Sequence, residues 1–441
     1  MESIVASVHE DGVENAVRRG FYPMSWAILA VSWLTYFVDM FMRYNIPSVM
    51  PALRAEYHWS ATTVGWVDSA YIWGYAVTQV PWGYVSERWL GARWTVTMGI
   101  ALIALASSAF AFHIENLTLA IIARAVIGVG AAAVWVPLNP SLARWFAPRL
   151  RATQTGIMAT GGALGLGAGG ALMPMLIAGG ATWFGLSQMQ SGFLHSAIPA
   201  LIVMVLVPLV IRSRPEDIGL RSLDGSGPAP RASRGMPNAD GLSFGRIMRR
   251  SFYPYALASV YAGYQACKYF VWTWYVAWLV HEYGTNLRDA GILWALSATL
   301  PAIVCQPLSG FVSDRLGHIR AVRFSLSVVL LLTLCITLVA FLGKNVVPLP
   351  FALSLAVVFT VFVDMWVLVW PFTTIMFPTS AGGPIGGAMN TYAQLLGALA
   401  PIVSGLLIDV THSYVPVFAC GALCAAMGLL STVWLRDHRV V

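Results

Sequence analysis

Apolar stretches of about twenty residues, each bounded by charge, Pro or Gly, recur along nearly the whole chain, and that is the length a helix needs to cross a bilayer core. Six fall near 24–46, 61–85, 94–113, 117–141, 153–178 and 191–211, and six more near 252–280, 288–312, 321–342, 347–371, 383–408 and 413–435. Between the two sets, Arg212 to Arg250 is rich in Pro, Gly and Ser and carries eight arginines. That composition predicts a polar linker. The pattern therefore predicts an all-α membrane protein of twelve transmembrane helices in two pseudo-symmetric six-helix halves. Expected divisions are a cytoplasmic tail at 1–23, a first half at 24–211, a cytoplasmic linker at 212–250, a second half at 251–435 and a short cytoplasmic tail at 436–441.

Composition sharpens this. Of 441 residues, 58% are hydrophobic and 10% charged, against roughly a quarter charged in an ordinary soluble domain, which excludes a water-soluble globule. The net charge of +7 raises nucleic acid as a partner, but the basic residues stand singly and in pairs between apolar runs, not in a patch. They read as topology signals. With the N-terminus inside, most of the 26 Lys and Arg fall on the cytoplasmic side, and the other side keeps only Arg54, Arg288 and Lys344. The positive-inside rule then places both termini and the central loop in the cytoplasm. Arginine-heavy, lysine-poor usage suits a GC-rich bacterial genome, hence a multi-pass protein of the inner (plasma) membrane. The first helix, preceded by Glu2, Glu10, Asp11 and Glu14, is expected to remain as an anchor and not to be cleaved as a leader. Five cysteines, all within apolar runs, imply neither a disulfide framework nor a metal site. With no phosphate-binding Gly-Lys-Ser/Thr loop, zinc pattern or nucleophile elbow, enzyme chemistry has no support and no cofactor is expected; transport energy must come from a gradient.

An internal repeat points further. After the second span stand Gly83, Glu87, Arg88, Gly91 and Arg93; after the eighth stand Gly310, Asp314, Arg315, Gly317 and Arg320. A Gly lets two helices approach, and an acid beside arginines at a helix end makes a charge lock that stabilises one packing of a bundle. Repeated at equivalent places in two six-helix halves, this pattern resembles the major facilitator superfamily over essentially the whole chain. Arg124, Gly128 and Gly130 in span four resemble that family's R-x-x-x-G-x-G pattern, and span five is dense in glycine from Gly161 to Gly170. Those glycines read either as close helix packing or as a pliable, rocking helix.

Within the superfamily, Arg43-Tyr-Asn45 with Gly65, Asp68, Gly74, Tyr75 and Gln79 is similar to the anion:cation symporters, which move sugar acids and other carboxylates. Arg43 together with Lys268 is also similar to the organophosphate:phosphate antiporters, which place one basic residue in the first helix of each half. Both resemblances imply a small organic anion as substrate, with protons or a counter-anion as co-substrate.

Six ionisable residues sit inside apolar spans: Asp39, Arg43, Asp68, Arg124, Lys268 and Asp364. Each is costly there and needs a partner or a wet cavity. Helical spacing places Tyr36, Asp39 and Arg43 on one face, Asp68, Tyr71, Tyr75 and Gln79 on another, and Tyr261, Tyr264, Lys268, Trp272 and Tyr275 on a third, with Gln265 beside it. An aromatic wall with an embedded cation suits an amphipathic organic anion. The expected arrangement has Arg43 and Lys268 clamping the anionic group, while Tyr36, Tyr75, Gln79, Tyr264, Trp272, Asn390 and Gln394 hold the rest. The competing structural readings pair Asp39 with Arg43 and Lys268 with Asp364, give Arg124 an interhelical or coupling role, and leave Asp68 exposed or capping near the outer end of its span. A carrier that concentrates an anion needs a co-moving cation, and a desolvated carboxyl binds and releases protons near neutral pH. Asp39 and Asp364 are the candidates. The sequence departs here from the symporter pattern, since Met42 stands where those proteins carry an acid before the first-helix arginine and the stretch of span four from Ala131 to Trp135 has none, a departure that counts against proton coupling. The expected protein is a monomeric carrier working by rocker-switch alternating access, with proton-coupled symport set against electroneutral exchange of carboxylated or phosphorylated metabolites. A membrane sensor built on a transporter fold is the rival from another class.

Overall fold

The computed structural model describes residues 19–147, 150–179, 182–221, 223, 244–377, 379–436 and 438. The N-terminal tail to residue 18 and most of the linker lie outside the described residues.

Backbone N–H and C=O groups find no partner in hydrocarbon, so a spanning segment must bond within itself, and the helix does this. Among the described residues twelve long helices result: α1 Pro23–Tyr44, α2 Ala61–Val85, α3 Gly91–His113, α4 Leu117–Ala143, α5 Arg151–Gly179 and α6 Gln188–Val210, then α7 Tyr253–Tyr283, α8 Leu287–Leu316, α9 His318–Leu342, α10 Leu349–Val363, α11 Thr379–Thr411 and α12 Val415–Ser431. Side-chain oxygens close several starts: Ser60 accepts from Thr63 N, Asn116 from Leu119 N and Ser187 from Gln190 N. Short helices fill the joins, including Met50–Tyr57 after α1. The linker is not wholly irregular, since Pro215–Ile218 forms a 3-10 turn and Phe244–Arg250 a helix. It is also tied down, because the Tyr22 hydroxyl donates to the Arg221 carbonyl at 2.8 Å.

One packing plan serves both halves. Helix α1 packs on α5, α2 on α4 and α3 on α6, and the same pairings recur as α7 on α11, α8 on α10 and α9 on α12. The halves then meet through α2 against α11 and α5 against α8, again related by the repeat. Outward-facing Val80, Leu105, Leu209, Leu331, Val410 and Leu423 stay exposed, as a face covered by lipid requires. The glycines of α5 are sites of close packing: Gly161 and Gly165 lie on the α1 backbone, while Gly167 and Gly170 meet Thr299 and Trp294 of α8.

Among the described residues, ten segments are long and apolar enough to cross a membrane by length and composition. Helices α2 and α7 are not among them. These two carry Asp68, Gln79, Gln265, Lys268 and a run of tyrosines and tryptophans, and both lie where the halves meet. Their lower apolarity is the mark of helices facing the bundle interior.

The two halves are pressed together at the end where α2 begins. Asp409, near the end of α11, accepts from Ala61 N at 2.8 Å and Thr62 N at 2.7 Å, capping α2 from the opposite half. Beside this cap a Cβ on Gly65 would strike the Pro401 carbonyl, and one on Gly405 the Ala61 carbonyl, so the helices touch backbone to backbone. Further along, the Ser69 hydroxyl donates to the Ala398 carbonyl.

Candidate functional site

Arg43, one residue before the end of α1, is 8% exposed. Its guanidinium points across the boundary between the halves: Nη2 donates to Gln394 Oε1 at 3.1 Å and to the Tyr269 hydroxyl. The Tyr269 hydroxyl in turn donates to the same Gln394 oxygen at 2.9 Å. Four rings surround the guanidinium carbon, those of Tyr75 at 5.1 Å, Tyr71 at 5.6 Å, Tyr269 at 5.7 Å and Tyr44 at 5.8 Å. Cation–π attraction of this kind holds a desolvated guanidinium without neutralising it. Nε makes no hydrogen bond.

Asp39 lies one turn before Arg43, yet the two do not close on each other. Its Oδ1 accepts from the Tyr71 hydroxyl at 3.0 Å, while Oδ2 has no hydrogen-bond partner. Asp68, expected near an exposed end, is 5% exposed and faces Arg124 at 3.8 Å. Helix α2 begins at Ala61, so Asp68 lies two turns inside it, turned toward α4. Arg124 also donates through Nη1 to the Met42 carbonyl at 2.9 Å and to Asn45 Oδ1 at 3.2 Å. It thus joins α4 to the last turn of α1, the interhelical role that its spacing suggests.

Lys268 pairs with Asp364, and its ammonium lies 3.9 Å from the centre of the Trp272 ring. The pair belongs to the second half alone. Arg43 and Lys268 still line one cleft between α1, α2 and α7, together with Asp68, Tyr71 and Trp272, but their charges are held differently.

A neutral polar chain crosses the boundary nearby. Gln265 Nε2 donates to the Tyr261 hydroxyl at 2.8 Å, which donates to Asn390 Oδ1 at 3.3 Å, and Asn390 Nδ2 donates to Gln79 Oε1 at 3.0 Å. Gln79, Asn390 and Gln394 therefore gather beside Arg43 and Tyr75 with groups able to meet hydroxyls. Trp272 makes an edge contact with Tyr44, ring centres 6.2 Å apart. Tyr36 turns toward Trp135 of α4, at 4.7 Å. Tyr264 turns away from the boundary altogether, its hydroxyl donating to the Val322 carbonyl of α9 at 3.3 Å.

Of the loop motif, Gly83 faces Val136 of α4. Arg93 Nε and Nη2 hold the Pro208 carbonyl, at 3.0 and 2.6 Å, near the end of α6, so this arginine caps a helix of its own half. Arg315 is exposed at the end of α8. The side chains of Glu87, Arg88 and Asp314, with Gly310, lie outside the described residues. Tyr269 and Tyr44 were missed in the sequence. For Tyr269 a signal existed, because Tyr261, Gln265 and Tyr269 form an i, i+4, i+8 row.

The profile of the Major Facilitator Superfamily matches residues 32–401. A hexuronate transporter of Bacillus subtilis (strain 168) is 25% identical over 389 residues, spanning 87% of this chain and 88% of that protein. A probable sulfoacetate transporter of Cupriavidus necator is 24% identical over 431 residues, 93% of either chain. Among solved structures, an inward-facing, unoccupied bacterial homologue of the human lysosomal transporter Spinster superposes with a TM-score of 0.77 at 14% identity, covering 94% of this chain and 98% of that one. At that identity the likeness concerns the fold.

Proposed function

The chain belongs to the major facilitator superfamily, and on that premise we propose that it is a secondary transporter of a small organic anion, a carboxylate or sulfonate, moved together with a proton. The observation that carries this reading is Arg43: a buried guanidinium at the boundary between the halves, ringed by tyrosines and bonded only to neutral groups among its described hydrogen bonds. The carboxylates of Asp68 and Asp364 are each turned to another base. An anion entering between the halves would replace Gln394 and Tyr269 on the guanidinium, and a planar fork suits a carboxylate. Gln79, Asn390 and Gln394 would then meet its hydroxyl or carbonyl oxygens. Lys268 is engaged by Asp364 and stands beside the substrate without being its clamp. The similarity to proteins named for hexuronate and sulfoacetate supports the anion class.

The distribution of Lys and Arg supports cytoplasmic termini and linker in a bacterial inner membrane, with 24–211 and 251–435 as the two rocking units. The joined end at Asp409 then faces outward, and the structure is closed on that side.

The test is ligand-induced thermal stabilisation of the purified protein by D-galacturonate, sulfoacetate, inorganic phosphate and neutral D-xylose, followed by uptake into proteoliposomes. Stabilisation by a carboxylate or sulfonate that disappears in Arg43→Ala, with uptake driven by an acid exterior, is the expected result. Undiminished uptake in Arg43→Ala would sink the assignment. Uptake that ignores pH and requires an internal anion would identify an exchanger instead.

A further inference from the structure

Tyr71 is 1% exposed on α2, and its surroundings bring together the two events that a coupled carrier must link. Its hydroxyl holds Asp39 Oδ1 at 3.0 Å. Its ring lies 5.6 Å from the guanidinium carbon of Arg43 and 5.3 Å from that of Arg124. Tyr75 stacks alongside, 6.3 Å away with the planes 10° apart, and touches Arg43 but not Asp39 among the described hydrogen bonds.

The charged and titratable neighbours are few. Tyr36, Arg43 and Tyr44 come from α1, Asp68 and Tyr75 from α2, Arg124 from α4 and Tyr269 from α7. Helix α5 meets α1 here with Gly161, Gly162 and Gly165. Arg124 faces Asp68 and Lys268 faces Asp364. Asp39 and Arg43 are left as an acid and a base that balance each other at a distance, with Tyr71 in contact with both. One oxygen of Asp39 is held and the other has no partner, so the carboxylate offers a single place for a proton.

We infer that Tyr71 is the positioning residue that links proton occupancy at Asp39 to anion occupancy at Arg43, an inference that rests on the anion reading above. With Asp39 charged, the carboxylate partly balances Arg43 and competes with an incoming anion. A solvent proton that adds to Oδ2 forms one O–H bond and removes that balancing charge, so Arg43 binds the anion more tightly. By linkage the bound anion raises proton affinity by the same factor. Tyr71 sets where on the pH scale this happens, because a hydrogen bond to the charged carboxylate favours the charged form.

Tyr71→Phe keeps the ring beneath both guanidinium groups and deletes only the hydroxyl. The first measurement needs no anion: infrared difference spectroscopy of the protonated-carboxyl C=O band that Asp39→Asn abolishes, titrated in the purified full-length protein. The midpoint is expected to move to higher pH in Tyr71→Phe by about one to two units, the range that one hydrogen bond to a charged group supplies. In Tyr75→Phe it stays in place. The second measurement follows thermal stabilisation by D-galacturonate and by sulfoacetate across pH. Tyr71→Phe is expected to displace that profile by the same amount, whereas Tyr75→Phe weakens stabilisation at every pH without displacing it. An unmoved carboxyl midpoint in Tyr71→Phe, or equal displacement by both variants, would overturn the inference. If neither anion stabilises the unmodified protein, the anion reading fails and the linkage with it, while the infrared midpoint still decides whether Tyr71 governs the proton on Asp39.

Discussion

At the scale of single residues, the six ionisable side chains inside the spans are expensive unless matched, and the structure matches them unequally. Lys268 and Asp364 form a closed pair within the second half. Removing one partner strands a buried charge, at a cost of about 3–5 kcal/mol, whereas removing both leaves no such charge. Lys268→Ala is therefore expected to lower the unfolding temperature more than the double variant Lys268→Ala/Asp364→Ala, which would retain anion-induced stabilisation. A double variant that melts normally but no longer responds to anions would return Lys268 to the substrate. The sequence made the charged residues conspicuous, because any ionisable group in an apolar run stands out. What it left open was their partners. Lys268 is compatible with a substrate or with Asp364 until the turn of α7 is known, and residues 268 and 269 differ by about 100° around that helix. This rotation sends Lys268 to Asp364 and Tyr269 to Arg43.

At the scale of elements, the apolar runs placed the helices closely: 24–46 became Pro23–Tyr44 and 288–312 became Leu287–Leu316. They failed where a run hides a change of helix type. The stretch expected at 347–371 is α10 only to Val363, then a 3-10 segment Asp364–Val369, and hydropathy carries no record of the shift because only Asp364 interrupts it. Contacts between elements of opposite halves were equally silent. The cap of α2 by Asp409 joins residues more than three hundred positions apart, and nothing at Asp409 distinguishes it from an ordinary helix-end acid. A cap of this kind contributes about 1 kcal/mol, enough to change a two-state population about fivefold. Asp409→Ala is accordingly expected to favour separation of the halves at that end. Spin labels at exposed Glu56 and His412 would report it as a longer distance population, and an unchanged distribution would show that the cap does not hold the halves together.

For the whole molecule, the repeated pairings of α1–α5, α2–α4 and α3–α6 with α7–α11, α8–α10 and α9–α12 make each half a packed unit, and the halves meet through α2 against α11, α5 against α8, and α7 against the short helices Pro47–Val49 and Met50–Tyr57. The superfamily architecture was legible because the Gly-x-x-x-acid-Arg motif repeats in step with the hydrophobic pattern; the closed end was not, since two packings of one sequence share the same hydropathy. The six embedded charges also bear on how the carrier meets an electric field. Three are acids and three are bases, so if the halves turn against each other as proposed, the empty carrier with all six ionised moves no net charge. A membrane voltage performs about 2.3 kcal/mol of work per elementary charge per 100 mV, and here it has no charge to act on. A monovalent anion accompanied by one proton leaves the loaded carrier equally neutral. Uptake of a monovalent anion such as D-galacturonate into proteoliposomes is thus expected to follow an imposed pH gradient and to ignore an imposed potassium diffusion potential. If an interior-negative voltage accelerated it, more than one positive charge would be crossing with each anion.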